Sequence, residues 1–151
     1  MVDCYFIIGD DSVGKSATIR ALTGIWAAEP AWPIRYIDGI YNTYVLVRSA
    51  QEGMRIRPPD LISDISNSGS PRAIVPLRLD PHNGAPSAND YISALGQHGW
   101  PIKGIGIIGE RLSEVNVPAG CFVVRMADRS TSLTMCANER ASYLRFGWQI
   151  F

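Results

Sequence analysis

Residues 9–16 read Gly-Asp-Asp-Ser-Val-Gly-Lys-Ser, directly after the apolar run Cys4-Tyr5-Phe6-Ile7-Ile8 and directly before Ala17-Thr18-Ile19-Arg20-Ala21-Leu22. The pattern G-x-x-x-x-G-K-[ST] in that setting predicts a strand, a glycine-turned loop and a helix in immediate succession. Chance supplies it poorly. The chain has 14 Gly and only two Lys, Lys15 and Lys103, and composition alone yields about 0.002 such matches over this length.

A polyphosphate is best wrapped by backbone N–H groups, and side chains at the tight positions obstruct that wrapping. Gly9 and Gly14 keep the turn open, so the amides from Ser12 to Ser16 are expected to point inward while the positive end of the following helix faces the β-phosphate. Lys15 is placed to bridge β- and γ-phosphates, and the Ser16 hydroxyl to ligate Mg2+. The expected contact set is Gly9, Asp10, Asp11, Ser12, Val13, Gly14, Lys15, Ser16 and Ala17. Asp10 and Asp11 repel phosphate unless they face solvent or are screened, so both are read as outward-facing. The motif resembles the Walker A element of the P-loop NTPase superfamily. That resemblance implies a nucleoside triphosphate with Mg2+.

The 151 residues fit one domain, 1–151, large enough to bury roughly 68–70% of the unfolded surface. Hydrophobic content of 46% with 19% charged residues is that of a globular chain, and no apolar run approaches the ~20 residues a membrane span needs. Met1-Val2-Asp3 lacks a basic n-region and 4–8 is too short for a signal core, so a cytoplasmic location is expected. Cys4, Cys121 and Cys136 are odd in number and lack C-x-x-C spacing, which predicts free thiols rather than disulfides or a zinc site. A formal net charge of zero gives no support to nucleic-acid binding.

Along the chain, the pattern predicts a strand over 3–8, a loop over 9–14 and a helix over 15–23 closed by Gly24. An irregular connection over 25–33 follows. Asp38-Gly39 between the runs 34–37 and 40–47 is a hairpin signal. Pro58-Pro59-Asp60 starts a short helix through Ile65, 67–71 is a turn and 73–79 a strand. A helix runs from Ser87 to about Gln97, 102–108 and 121–126 are strands, and a last helix spans about 132–146 with Gly147 as its cap. The expected fold is α/β: a three-layer, P-loop NTPase-like arrangement on a mostly parallel sheet of about six strands with one antiparallel hairpin strand.

That element order also resembles the Ras-like GTPases, over most of the chain in order but in sequence only at the phosphate loop. Where that family carries a γ-phosphate-sensing Asp-x-x-Gly and a water-orienting Gln, this chain has Val47-Arg48-Ser49-Ala50-Gln51-Glu52-Gly53, leaving Gln51 or Glu52 to polarise water. Where the family reads guanine with Asn-Lys-x-Asp, this chain has Gly109-Glu110-Arg111-Leu112. ATP is therefore expected over GTP.

A second acidic group, at the end of an apolar strand, should hold the Mg2+ water shell. Asp80 ends Ala73-Ile-Val-Pro-Leu-Arg-Leu-Asp, interrupted by Pro76 and Arg78, and Asp-Pro is equally a turn signal. Asp38 competes, and neither remains an alternative. Twelve Arg against two Lys favour bidentate phosphate contact; Arg55 and Arg57 lie in a loop able to close over phosphates, and Arg125 and Arg129 flank the last strand. His82 and His98 lack partners at ligand spacing. Trp26, Trp32, Trp100 and Trp148 read as packing, with Trp26 and Trp32 in the connection that a Ras-like order brings near a nucleotide.

Taken together, Lys15, Gln51 and Asp80 are the expected catalytic residues, Ser16 and Asp80 the metal-binding ones, and Mg2+ with ATP the ligands. The expected activity is ATP hydrolysis coupled to a conformational change. Phosphoryl transfer to a small acceptor, a nucleotide-responsive module without turnover, a GTPase, and a site completed by a protein partner or second copy stay open.

Overall fold

The computed structural model describes residues 1–11, 13–52, 55–128 and 136–151. Eleven elements follow one another: β1 (Asp3–Gly9), α1 (Lys15–Thr23), β2 (Glu29–Tyr36), β3 (Gly39–Val45), α2 (Pro58–Ser68), β4 (Arg72–Arg78), α3 (Ala88–Gln97), β5 (Ile102–Ile108), a single 3-10 turn (Leu112–Glu114), β6 (Phe122–Met126) and α4 (Ala137–Trp148). The six strands form one sheet in the order β2-β3-β4-β1-β5-β6. Only β2–β3 is antiparallel; β3–β4, β4–β1, β1–β5 and β5–β6 are parallel.

Alternation along β1 divides the core between the two faces of the sheet. Cys4, Phe6 and Ile8 join Leu61 and Ile65 of α2 and Tyr91 and Leu95 of α3 in one cluster. Tyr5 and Ile7 join Ile19 and Leu22 of α1 and Leu144 and Trp148 of α4 in the other. Helices thus cover both faces, giving three layers. Glycines at 104 and 106 of β5 let α4 close in: the Trp148 indole and Leu144 Cδ2 stand where Cβ atoms would be.

Several element ends differ from the sequence expectation. The connection over 25–33 is strand from Glu29 onward, because β2 is the edge strand of the sheet, with β3 its one neighbouring strand, and an edge tolerates Pro30 and Pro33. Pro76 sits inside β4 because the pairing with β3 has ended at Ile74 and the loop runs alongside instead, donating Ala50 N–H to the Pro76 carbonyl at 3.1 Å. α2 continues past Ile65 to Ser68, where Gly69 (φ 71°) ends it. β3 stops at Val45, two residues short. The described part of α4 starts at Ala137 and runs through Gly147 to Trp148, ending on Gln149 (φ 57°); Gly147 is needed because the Phe122 ring occupies its Cβ position. The expected start of that helix near 132, together with Arg129, Ser12 and Gly53, lies outside the described residues. No helix among the described residues is long and apolar enough to cross a membrane.

The parallel strands bring the loops after β1, β3, β4 and β5 to one end of the sheet, where α/β proteins generally place ligand sites. The β2–β3 turn lies at the other end, since Asp38 pairs with Arg72 at 3.0 Å and Arg72 is in register with Asp3, six residues from Gly9. Asp38 therefore cannot serve a site at the loop after β1.

Candidate functional site

The loop between β1 and α1 is shaped by what lies behind it. Val13, 8% exposed, turns into the core, and its Cγ2 is 2.7 Å from the place a Cβ on residue 9 would take. Gly14 adopts φ 102°, a conformation that side chains disfavour, and a Cβ there would lie 2.5 Å from Arg140 Nη2. Arg140, 2% exposed, reaches from α4 to place its Nε–H on Thr18 Oγ1 at 2.7 Å, while Thr18 Oγ1 donates to the Gly14 carbonyl at 2.8 Å. The first turn of α1 is thereby fixed from the core side.

On the opposite side the same turn walls a cleft of about 340 Å³. Gly14, Lys15, Ser16, Ala17 and Arg20 line it from the loop and helix, Asp11 from the rim, and Ser49 and Glu52 from the loop after β3. No side chain among the described residues caps α1, whose first turn has N–H groups that no helix can satisfy internally, and Gly14, Lys15, Ser16 and Ala17 of that turn line this space. Lys15 is 7% exposed, its ammonium donating to the Gly9 carbonyl at 3.0 Å and the Asp10 carbonyl at 2.6 Å. Burial lowers its pKa below the usual 10.5; nearby Glu52 opposes the shift and Arg78 adds to it. The Ser16 hydroxyl donates to the Val47 carbonyl at 2.8 Å, which turns its lone pairs away from that carbonyl.

Arg78, at the end of β4, sets Nη1 3.3 Å from Glu52 and 3.7 Å from Asp11. Asp11 is 66% exposed, and Asp10 turns to Arg111 at 2.7 Å, so both carboxylates lie at the outside of the loop with arginines against them. The Arg111 guanidinium also grips Asp80 with two bonds of 2.8 Å and Glu114 with two of 2.7 and 2.8 Å. This holds the Asp80 carboxyl below the usual carboxylate range and links the loops after β1, β4 and β5.

The cleft thus gathers Asp11, Gly14, Lys15, Ser16 and Ala17 of the expected set; Gly9, Asp10 and Val13 shape it from behind or beside. Gln51 and Asp80 do not line it. Gln51 is fully buried, its amide donating to the Arg78 and Pro86 carbonyls at 2.8 and 3.2 Å and accepting Arg78 N–H at 3.0 Å, so it clamps the end of β4. Asp80 belongs to the Arg111 cluster. Of the two candidates in the stretch after β3, Glu52 is the one that lines the cleft with Lys15 and Ser16. Arg57 packs near Gly84 instead of the cleft, His98 stacks edge-on against Trp100, and Arg125 pairs with Glu110 at 2.9 Å. No cluster of three or more His, Cys, Asp or Glu suited to a metal occurs among the described residues.

Sequence reasoning missed Arg20, Ser49, Arg78 and Arg140 as part of this neighbourhood. Arg20 was within reach, four residues after Ser16 and so on the same face of α1; the others arrive from distant elements with no local signal. Comparison of the chain with protein-family models, with curated proteins and with solved structures finds no match.

Proposed function

We propose that this chain binds a nucleoside triphosphate, ATP before GTP, with its phosphates in the cleft at the head of α1, and that it cleaves the γ-phosphate with Mg2+. The observation that carries the reading is the convergence on one cleft of an uncapped helix N-terminus, a buried lysine and a serine hydroxyl. Each is suited to an anion or its metal. In this reading the P-loop NTPase likeness of the sequence extends to the three-layer fold, and the amides of Lys15, Ser16 and Ala17 take the β-phosphate.

Lys15 exchanges its two carbonyl acceptors for phosphate oxygens, and the anion relieves the cost of a buried ammonium. Arg20 adds a second cation. The donor set suits Mg2+, a hard ion that keeps several waters: Ser16 Oγ has its proton committed to Val47 and offers a lone pair, and Glu52 is within the same cleft to hold a metal-bound water. Ser16 and Glu52 would hold the ion, which when bound would supply neutralising positive charge to the phosphates. Glu52, already placed beside Arg78, orients the attacking water and takes its proton. Asp80, through Arg111 and Asp10, braces the loop and has no contact with the reacting groups.

Turnover of ATP and GTP, followed as diphosphate release at several protein concentrations, tests this. The proposal expects Mg2+-dependent release favouring ATP and proportional to protein. A tenfold preference for GTP would overturn the base assignment, and release rising faster than protein concentration would assign part of the site to a partner chain.

A further inference from the structure

Beside the phosphate cleft lies a second recess of about 350 Å³ that the triphosphate reading leaves unused. Arg20, Ser49 and Glu52 line both, so the two are immediate neighbours. The second differs in chemistry: Ala27, Ala28, Leu46, Val47 and Ile56 make its walls apolar, and the Trp26 ring closes one side. Trp26 is 77% exposed, whereas Trp100 and Trp148 are 7% and 3% exposed. Arg20 lies over the Trp26 ring at 5.0 Å, and its Nε–H is buried without a partner among the described residues. An exposed tryptophan with a cation on its face, at the mouth of an apolar recess of ligand size, is typical of a small-molecule pocket.

Which end of the triphosphate the recess meets follows from Glu52. In the triphosphate reading Glu52 stands against the γ-phosphate, and Glu52, with Ser49, lines the recess as well as the cleft. The recess therefore adjoins the phosphate that is displaced, not the nucleoside.

We propose that this recess binds a second substrate, a small alcohol with a planar apolar ring, and that its hydroxyl, delivered to Glu52, receives the γ-phosphoryl group. This rests on the triphosphate reading of the neighbouring cleft. The alcohol oxygen forms the new O–P bond, the bond from the γ-phosphorus to the β,γ-bridging oxygen breaks, and the nucleoside diphosphate leaves with that electron pair. The alcohol proton passes to the Glu52 carboxylate. No redox partner is needed.

The experiment incubates the protein with Mg2+ and γ-labelled ATP and, one at a time, uridine, thymidine, adenosine and 2-phenylethanol. Labelled alcohol and diphosphate release are measured for the wild type and Trp26→Ala, and calorimetry gives the MgATP Kd of both. The expected result is phosphorylation of at least one alcohol, with Trp26→Ala raising its KM tenfold or more while alcohol-free diphosphate release and the MgATP Kd stay within twofold. MgATP binding with no alcohol phosphorylated overturns the acceptor site and leaves the triphosphate reading standing. Phosphorylation unaffected by Trp26→Ala places the acceptor elsewhere and overturns it too, as does a Trp26→Ala variant that loses MgATP affinity, which would give the recess to the nucleotide base. A wild type that does not bind MgATP removes both readings.

Discussion

Lys15 can be tested by asking whether stability and affinity respond to its loss in different ways. Lys15→Met keeps an apolar stem and removes an ammonium bonded to two backbone carbonyls at 3.0 and 2.6 Å. Those bonds stabilise the fold, but burial pulls the Lys15 pKa below 10.5, so the charged form is held at a cost that the variant escapes. The two effects oppose, and the net change in stability should be within about 1 kcal/mol, or about 2–4 °C in Tm for a chain of this size. The pH dependence has a fixed sign. Between the lowered folded pKa and the unfolded 10.5, the unfolded chain binds more protons, so stability rises with pH; the wild type should gain on Lys15→Met across that window. With a triphosphate in the cleft, by contrast, the variant loses a hydrogen bond between charged groups, about 1.5–3 kcal/mol. That is about 10- to 150-fold in Kd. Calorimetric titration with MgATP and a thermal melt on the same preparations decide it. A folded Lys15→Met that binds MgATP as tightly as the wild type refutes the reasoning, and a Tm loss above about 10 °C would make Lys15 a structural strut.

Ser16→Ala should lose the Mg2+ dependence of ATP binding more than the binding itself, seen by titrating ATP with and without the metal; unchanged magnesium sensitivity would leave Ser16 only its bond to Val47. Glu52→Gln should lower turnover tenfold or more, on the order of 1.4 kcal/mol of transition-state stabilisation, while MgATP binds as before. Asp80→Asn, which retains one acceptor for Arg111, should change turnover far less, and steady-state rates that reverse this ranking would return the second acidic role to Asp80.

The strand, loop and helix at 3–23 were legible because apolar run, glycines and helix formers stand together in sequence, and Gly24 ends α1 with φ 78° as a left-handed cap. The Asp-Gly hairpin was legible for the same reason. β2 was read too short because Pro30 and Pro33 speak locally against a strand, and only the sheet order reveals that β2 is an edge. Gln51 and Asp80 show the limit at the site. Each is a residue type that polarises water or binds metal, yet which one faces the cleft depends on contacts between loops: Gln51 turns inward onto Arg78 and Pro86, Asp80 onto Arg111, and Glu52 outward. Arg140, 122 residues from Thr18, carries no sequence sign of its place behind Gly14.

A triphosphate and its metal in the cleft at the head of α1 leave a calorimetric signature. Titration of the wild type in a calorimeter with MgATP, with ATP in a chelator and with adenosine tests it most directly. The expected result is saturable binding of MgATP at one site per chain, weaker binding once magnesium is removed, and no competition from adenosine for that site. Absence of saturable MgATP binding, or adenosine binding as tightly as MgATP at the same site, would contradict it.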